Sequence, residues 1–396
     1  MSVALIKWTG TDTVAQAVEA INGWDGFKPG MRVLIKPNVV ASGSKKMPSR
    51  GITSSPVIVA QMALLAREKG AANVVIAEGA VEIPSINQDT QAAYEWSGIA
   101  QIAQDHNISL IDMNKGPFRS FTLSDGTQIE VAEAMFEADF VISIPLLKTH
   151  GQAVATLSLK NLKGALSMES KKRCHTETNL NKAIAEFNRF VPCHLVVLDA
   201  LTATEFGPLP SGRKDQVKEM GLLMAGKDRL ELDVVGSFLL GKSWQEVPAI
   251  RYYAELTGRT PDIERIHIVG EDPAAHRIEL GHIGEGFEDL MKKFNISGIS
   301  IPYGGEGLCS GCGFNLFAGL FSFFRGNAGL AVEGVQVCTG PEVKAHRDCK
   351  YPVLLGKCAI KANKEVKGAV KVGGCPPDPE KIQEAMAKTI AAAKQA

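Results

Sequence analysis

Seven short β-rich runs, at residues 3–6, 31–35, 74–76, 108–111, 140–144, 194–198 and 266–269, alternate with stretches of helical periodicity. Such alternation predicts an α/β fold: a mostly parallel sheet with flanking helices. Residues 55–69 predict one of those helices, since Pro56 occupies its first turn, Ile58, Met62 and Leu65 share a face, and Gly70 stops it. Residues 228–240 predict another, and Asp378-Pro379 reads as an N-cap followed by proline at the start of a last, alanine-rich helix. With 396 residues, 45% of them hydrophobic, the chain can bury a large core and exceeds one average domain. Near residue 300 glycines crowd and a cysteine-rich part begins. The expected organisation is an α/β domain over 1–300 and a smaller, cysteine-rich α+β module over 301–396.

Six of the eight cysteines lie in the last quarter of the chain. Cys309-Ser-Gly-Cys312 is a CxxC, a spacing that lets two thiolates share one site from a tight turn. Gly373-Gly374-Cys375-Pro376-Pro377 sets a third cysteine between glycines and rigid prolines, and Cys358 follows Gly356 closely. Cys309, Cys312, Cys358 and Cys375 form the simplest four-thiolate set, sufficient for one 4Fe-4S cluster. Structural zinc is the alternative, although a zinc ribbon usually supplies its second pair as another close CxxC. Cys338 and Cys349 are spares, and Cys174 and Cys193 lie apart.

Lys plus Arg and Asp plus Glu both number 43, so the chain is neutral and offers no generalised surface for nucleic acid or anionic membrane. The neutrality hides an island: residues 143–175 hold six cationic side chains and one carboxylate. Lys148-Thr149-His150 follows the run 140–144 and Pro145, just beyond a strand's carboxyl end, where open α/β sheets place ligands. Lys148, His150, Lys160, Asn161 and Lys163 punctuate apolar stretches, and His175 falls in the same window. Lysines in such walls bind carboxylate or phosphate, or have depressed pKa values useful for proton transfer. Lys36-Pro37-Asn38 and Glu78-Gly79 end two other runs and point to the same rim. Lys171-Lys172-Arg173 reads as a solvated basic face. Glu78 and Asp199 are strand-end carboxylates suited to Mg²⁺.

Leu34-Ile35-Lys36-Pro37-Asn38, Lys148-Thr149-His150, Ser158-Leu159-Lys160-Asn161-Leu162-Lys163-Gly164, His175, and Asp199 with Glu205-Phe206-Gly207-Pro208 resemble the successive motifs of the domain of unknown function numbered three-six-two. The resemblance runs over roughly residues 30–275. It implies the α/β body and an association with iron-sulfur clusters, and no assigned reaction. The family's ferredoxin-type members carry paired CxxC modules, from which the single late cysteines here depart. His150, Lys160 and His175 are also similar in type to the histidine and lysine set around the nickel-pincer nucleotide of lactate racemase, which implies a distant relationship of fold.

The leading expectation is an iron-sulfur oxidoreductase or electron-transfer protein, with Lys148, His150, Lys160 and His175 as catalytic candidates. Lys36, Asn38, Asn161 and Lys163 are the candidates for binding an anionic small molecule. A lyase or racemase-like enzyme using Lys/His acid-base chemistry, and a non-catalytic iron-sulfur carrier or assembly factor, are the alternatives. A nicotinamide or nucleoside-triphosphate enzyme is disfavoured because neither GxGxxG nor GxxxxGK[ST] occurs in the expected places. Lys7 and Asp12 interrupt the N-terminus where a secretory signal needs an apolar run, and the apolar run 316–324 is about half of a membrane span. A cytoplasmic protein is expected, with no membrane or nucleic-acid partner. A redox partner protein and a homodimer remain open.

Overall fold

The computed structural model describes residues 2–395 except 44–46, 84–86, 208–215, 282–285, 303 and 305–306. Part of the polar loop 39–51 and Pro208 of the family-like motif therefore lie outside the described residues. The chain forms two compact units, Met1–Leu280 and Gly281–Ala396. The division precedes residue 300 because the helix Gly286–Lys293 and the strand Ser297–Ser300 bury Phe287, Leu290 and Ile299 in the core of the second unit.

The first unit contains β1 (Ser2–Lys7), β2 (Arg32–Pro37), β3 (Asn73–Glu78), β4 (Ser109–Asp112), β5 (Phe118–Thr122), β6 (Gln128–Ala132), β7 (Phe140–Ile144), β8 (Leu146–His150), β9 (Val154–Thr156), β10 (Leu195–Thr204), β11 (Val217–Gly226) and β12 (His267–Gly270). The main sheet runs β12-β1-β11-β10-β7-β2-β3-β4, with β8 and β9 attached beside β10. Its centre is parallel, and β11 breaks the direction by pairing antiparallel with both β1 and β10. Successive residues serve opposite faces: Val3, Leu5 and Leu34 enter one core layer, whereas Ala4, Val33 and Ile35 enter the other. A sheet covered on both sides explains why its strands read as unbroken apolar runs. The helix Pro56–Glu68 buries Ile58, Met62 and Leu65 as expected, and Arg229–Leu239 is capped by Asp228, whose carboxylate accepts from Leu230 and Glu231 N–H.

One expectation needs correction. Lys148-Thr149-His150 is part of a strand, because the chain resumes extended structure after Pro145 and β8 pairs parallel with β10 and antiparallel with β9.

In the second unit β13 (Ser297–Ser300), β14 (Ala331–Thr339), β15 (Tyr351–Leu355) and β16 (Val370–Val372) form a parallel sheet in that order. The helices Ser310–Gly326 and Pro379–Gln395 share its core through Leu316, Leu320, Ile382, Met386 and Ile390. Asp378 caps the last helix by accepting from Glu380 N–H at 2.8 Å and Lys381 N–H at 3.2 Å.

Candidate functional site

Parallel strands place their carboxyl ends on one rim of the first unit's sheet, and the polar residues beyond them meet there. Lys36 and Asn38 come from the end of β2, Glu78 from β3, and Lys148 and His150 from β8. The short helix Ser158–Asn161 and the following turn Leu162–Ala165 add Lys160, Asn161 and Lys163. Lys148 stands opposite Thr156 and His150 opposite Val154, so Lys148, His150 and Thr156 share one face of the β8–β9 hairpin.

The network is continuous. Lys36 Nζ donates to both oxygens of Glu78, at 3.0 and 2.9 Å, and Glu78 also accepts from the N–H groups of Val39 and Gly79. Glu78 is thereby committed to holding Lys36 and the loop, which argues against the Mg²⁺ role considered from sequence. Lys148 Nζ donates to Asn38 Oδ1 at 2.7 Å and Ile52 O at 2.9 Å. Asn38 donates to Asn161 Oδ1 at 3.0 Å, and Asn161 donates to Ser143 Oγ at 3.0 Å. Gly164 is required by close approach: a Cβ there would fall 1.9 Å from Glu78 Oε1 and 2.6 Å from Lys36 Nζ. Asp199 accepts from the N–H of Ser55 at 2.7 Å and of Leu201 at 3.1 Å, and burial lifts its pKa to about 6. Asp199, Arg50, Thr53 and Ser55 line a cavity of about 260 Å³.

Lys171 corrects a second expectation. It is buried rather than solvated, with Nζ donating to Gly79 O and Asn114 Oδ1, both at 2.7 Å. Its neighbour Lys172 is exposed, and Arg173 pairs with Glu169. Five lysines, at 36, 148, 160, 163 and 171, thus belong to one site, and the carboxylate of Glu78 acts on three of them, Lys36, Lys148 and Lys171. Lys160 and Lys163 keep partial solvent access although protein surrounds their ammonium groups, and neither has a hydrogen-bond or ion-pair partner among the described residues.

Burial dominates the electrostatics. Desolvation lowers Lys36 despite the opposing pull of Glu78, brings Lys148 and Lys171 to about 7, and brings Lys163 to about 8. Lys160 falls well below the lysine range through desolvation and then repulsion from Lys163, Lys148 and Lys36. His150 and His175 fall well below the usual histidine range for the same two reasons, with Lys160 acting on both.

Sequence reading missed Asp233, Asn114, Ser143 and Gln152. Asp233 accepts from Ser158 N–H at 2.7 Å and Leu159 N–H at 2.9 Å, which ties down the turn that carries Lys160. Its signal was a carboxylate inside the apolar run Leu232–Val235, a pattern that marks a buried polar anchor. Burial raises it to about 7 against the pull of those two N–H groups.

In the second unit, Cys309 precedes the helix Ser310–Gly326, Cys312 lies in its first turn, and Cys358 lies in the first turn of the helix Gly356–Ala362. Cys375 follows β16. The three loops touch: a Cβ on Gly356 would sit 3.5 Å from Cys312 Sγ, and one on Gly311 would meet the Pro376 ring at 3.5 Å. Cys309 and Cys312 share a thiol hydrogen bond. That bond, with the N–H groups of Cys312 and Gly311, draws Cys309 down to about 6 against desolvation. Cys312 is pushed up by the same bond, by burial and by repulsion from Cys309, Cys375 and Cys358. Among the described residues no three His, Cys, Asp or Glu side chains form a ready metal cage. The chemistry of the donor set nonetheless fits: four thiols from three touching loops, mutually repelling when ionised, suit a group that supplies positive charge. Cys338 is buried with Val343 and Leu354 in a separate cluster, and burial followed by Cys349 raises it to about 11.

Among the described residues no helix is long and apolar enough to cross a membrane. A thylakoid-associated protein of Synechocystis sp. is 29% identical over 241 residues, which is 59% of this chain and 70% of that protein. Lactate racemase apoprotein from Thermoanaerobacterium thermosaccharolyticum aligns with TM-score 0.38 and 14% identity, covering 74% of this chain and 73% of that one. A Thermotoga maritima protein aligns with TM-score 0.33 and 12% identity, covering 66% and 60%. The family described as domain of unknown function DUF362 matches residues 33–237, more than half of the chain and all five of these lysines, and the chain belongs to that family.

Proposed function

We propose that this chain is a cytoplasmic iron-sulfur protein of the oxidoreductase or electron-transfer class, with a cleft in its first unit that binds a small oxyanion. The observation that carries the reading is the pair of ammonium groups, Lys160 and Lys163, that have no partner among the described residues, at a site where Glu78 is already committed to Lys36. An anion that accepts from both relieves their mutual repulsion and replaces the water lost to burial. Cys309, Cys312, Cys358 and Cys375 would hold a 4Fe-4S cluster. Such a cluster, when bound, supplies one-electron transfer or a Lewis-acidic iron.

Full-length protein purified without oxygen tests both halves. Expected are about four irons per chain and saturable calorimetric binding of sulfate that Lys163→Ala weakens about tenfold or more, the loss of one charge-assisted hydrogen bond. A colourless protein loaded with zinc would overturn the cluster, and unchanged sulfate binding in the variant would overturn the cleft.

A second reading is favoured by the depressed pKa of Lys160 beside His150 and His175. On that reading the cleft performs acid-base chemistry on the bound anion, Lys160 serving as base, and the cluster takes no part in electron transfer. Turnover with a redox-silent cluster would select it.

A further inference from the structure

The connection between β8 and β9 is short and strained. Val154 adopts φ +62°, a region that β-branched residues avoid, and Gly151 N–H is held by Gly207 O at 3.3 Å. The strain secures a specific arrangement: the N–H groups of Gln152 and Ala153 both point at His150 Nδ1, each at 3.1 Å. A ring nitrogen that accepts two backbone N–H bonds carries no proton, so the neutral imidazole of His150 has its proton on Nε2. Gln152 then reaches in the other direction. Its side-chain Oε1 lies 2.8 Å from His175 Nδ1. An amide oxygen only accepts, so His175 Nδ1 is the protonated nitrogen and its Nε2 carries the lone pair.

We propose that Gln152 is a positioning residue whose side chain fixes the tautomer of His175 opposite to that of His150, which the backbone of Gln152 and Ala153 holds, so that His150 presents an Nε2–H donor and His175 an Nε2 acceptor. Neither Nε2 has a protein partner among the described residues. Burial first, and then repulsion from Lys160, Lys148 and Lys163 on His150 and from Lys163 and Lys160 on His175, keeps both rings uncharged and preserves the distinction. In use, His150 offers a hydrogen bond to an oxygen on which negative charge develops, and His175 offers a lone pair to an O–H or N–H of the same ligand. That use rests on the cleft reading above; the tautomers are a property of the ligand-free protein.

Full-length protein labelled with ¹⁵N-histidine, with His150→Asn and His175→Asn spectra for assignment, gives the tautomers directly from long-range ¹H–¹⁵N correlations. Expected are an unprotonated Nδ1 on His150 and a protonated Nδ1 on His175. In Gln152→Leu the His175 signals should shift to a mixture of tautomers while His150, held by backbone, keeps its pattern. In Gln152→Glu the protonated Nδ1 of His175 should return, with its titration moved upward by the adjacent carboxylate. A merely structural role would disturb both rings together. The proposal is overturned by an unprotonated Nδ1 on His175 in the parent protein, a result that needs no variant to fold. It is equally overturned if Gln152→Leu leaves His175 unchanged. Sulfate titration of the same samples reports separately on the cleft, so failure of one does not count against the other.

Discussion

The two units concentrate like charges in opposite senses. In the first, five lysines share a site with one carboxylate, Glu78, which acts on Lys36, Lys148 and Lys171; in the second, four thiols gather from three touching loops. Burial favours the uncharged lysines and brings Lys148 to about 7, whereas among the thiols the bond between Cys309 and Cys312 acts first, drawing Cys309 down and, with burial, pushing Cys312 up. They differ in what holds them. Lys36, Lys148 and Lys171 each have oxygen acceptors supplied by strands and turns, so the cleft is organised before any ligand arrives. The thiols of Cys309 and Cys312 share one hydrogen bond and the set otherwise repels, so its final order depends on what binds it.

The largest effect therefore belongs to the cysteines. Cys375→Ser or Cys309→Ser should reduce anaerobically assayed iron from about four per chain to near none, whereas Cys338→Ser, packed with Val343 and Leu354, should retain it. Chelation of iron from the parent protein should raise hydrogen exchange around 309–313 and 356–358 and leave the 34–38 and 146–150 amides protected. Equal loss in both units would remove the contrast.

Next comes Glu78→Gln. Breaking a buried pair strands its partner, typically at 3–5 kcal/mol. Here the lower end, about 3 kcal/mol, is expected because Lys36 can shed its proton. A loss below about 1 kcal/mol in chemical denaturation would mean that the cleft is not built on this pair.

The pH response follows from the lysines. Lys148 and Lys171 at about 7 and Lys163 at about 8 all lie below the unfolded value of 10.5. Below pH 7 both folded and unfolded chains hold these protons, and the destabilisation is fully present. Between about 7 and 10.5 the unfolded chain binds more protons, so these groups make stability rise with pH. Sulfate keeps its charge over the same range, and its affinity should fall above pH 8 by up to about tenfold per pH unit for one linked proton. An affinity flat from pH 7 to 9.5 would show that Lys163 is not part of the anion site.

The alternation of strands and helices was legible because a sheet buried on both faces needs unbroken apolar runs, as in β2, where Val33 and Ile35 serve one layer and Leu34 the other. Strand β11 was not legible, since Lys218, Glu219 and Gly221 interrupt its pattern before the buried stretch 222–225. Lys36, Asn38, Lys148, Asn161 and Lys163 were legible as polar residues at strand ends or amid apolar neighbours. Asp233 and Gln152 were not, because each acts across the fold, on Ser158 and on His175, through bonds that no local pattern encodes. The touching loops of the four thiols were legible only through the glycines and prolines that let them approach.

The adjacent residues Lys171 and Lys172 give the smallest and most discriminating comparison. They look alike in sequence, yet on one helix Lys171 turns inward to Gly79 and Asn114 while Lys172 faces solvent. Lys171→Met keeps the apolar stem, removes a buried cation whose desolvation opposes folding, and leaves two acceptors unpaired, so its net effect on stability is small. It also removes one positive charge from the cleft, and sulfate affinity should drop a few-fold, about 1 kcal/mol. Lys172→Ala should change stability by less than about 0.5 kcal/mol and leave sulfate binding unchanged. If the two variants bind sulfate alike, the charge that matters is the net charge of the surface, and the recessed lysines are packing rather than a site.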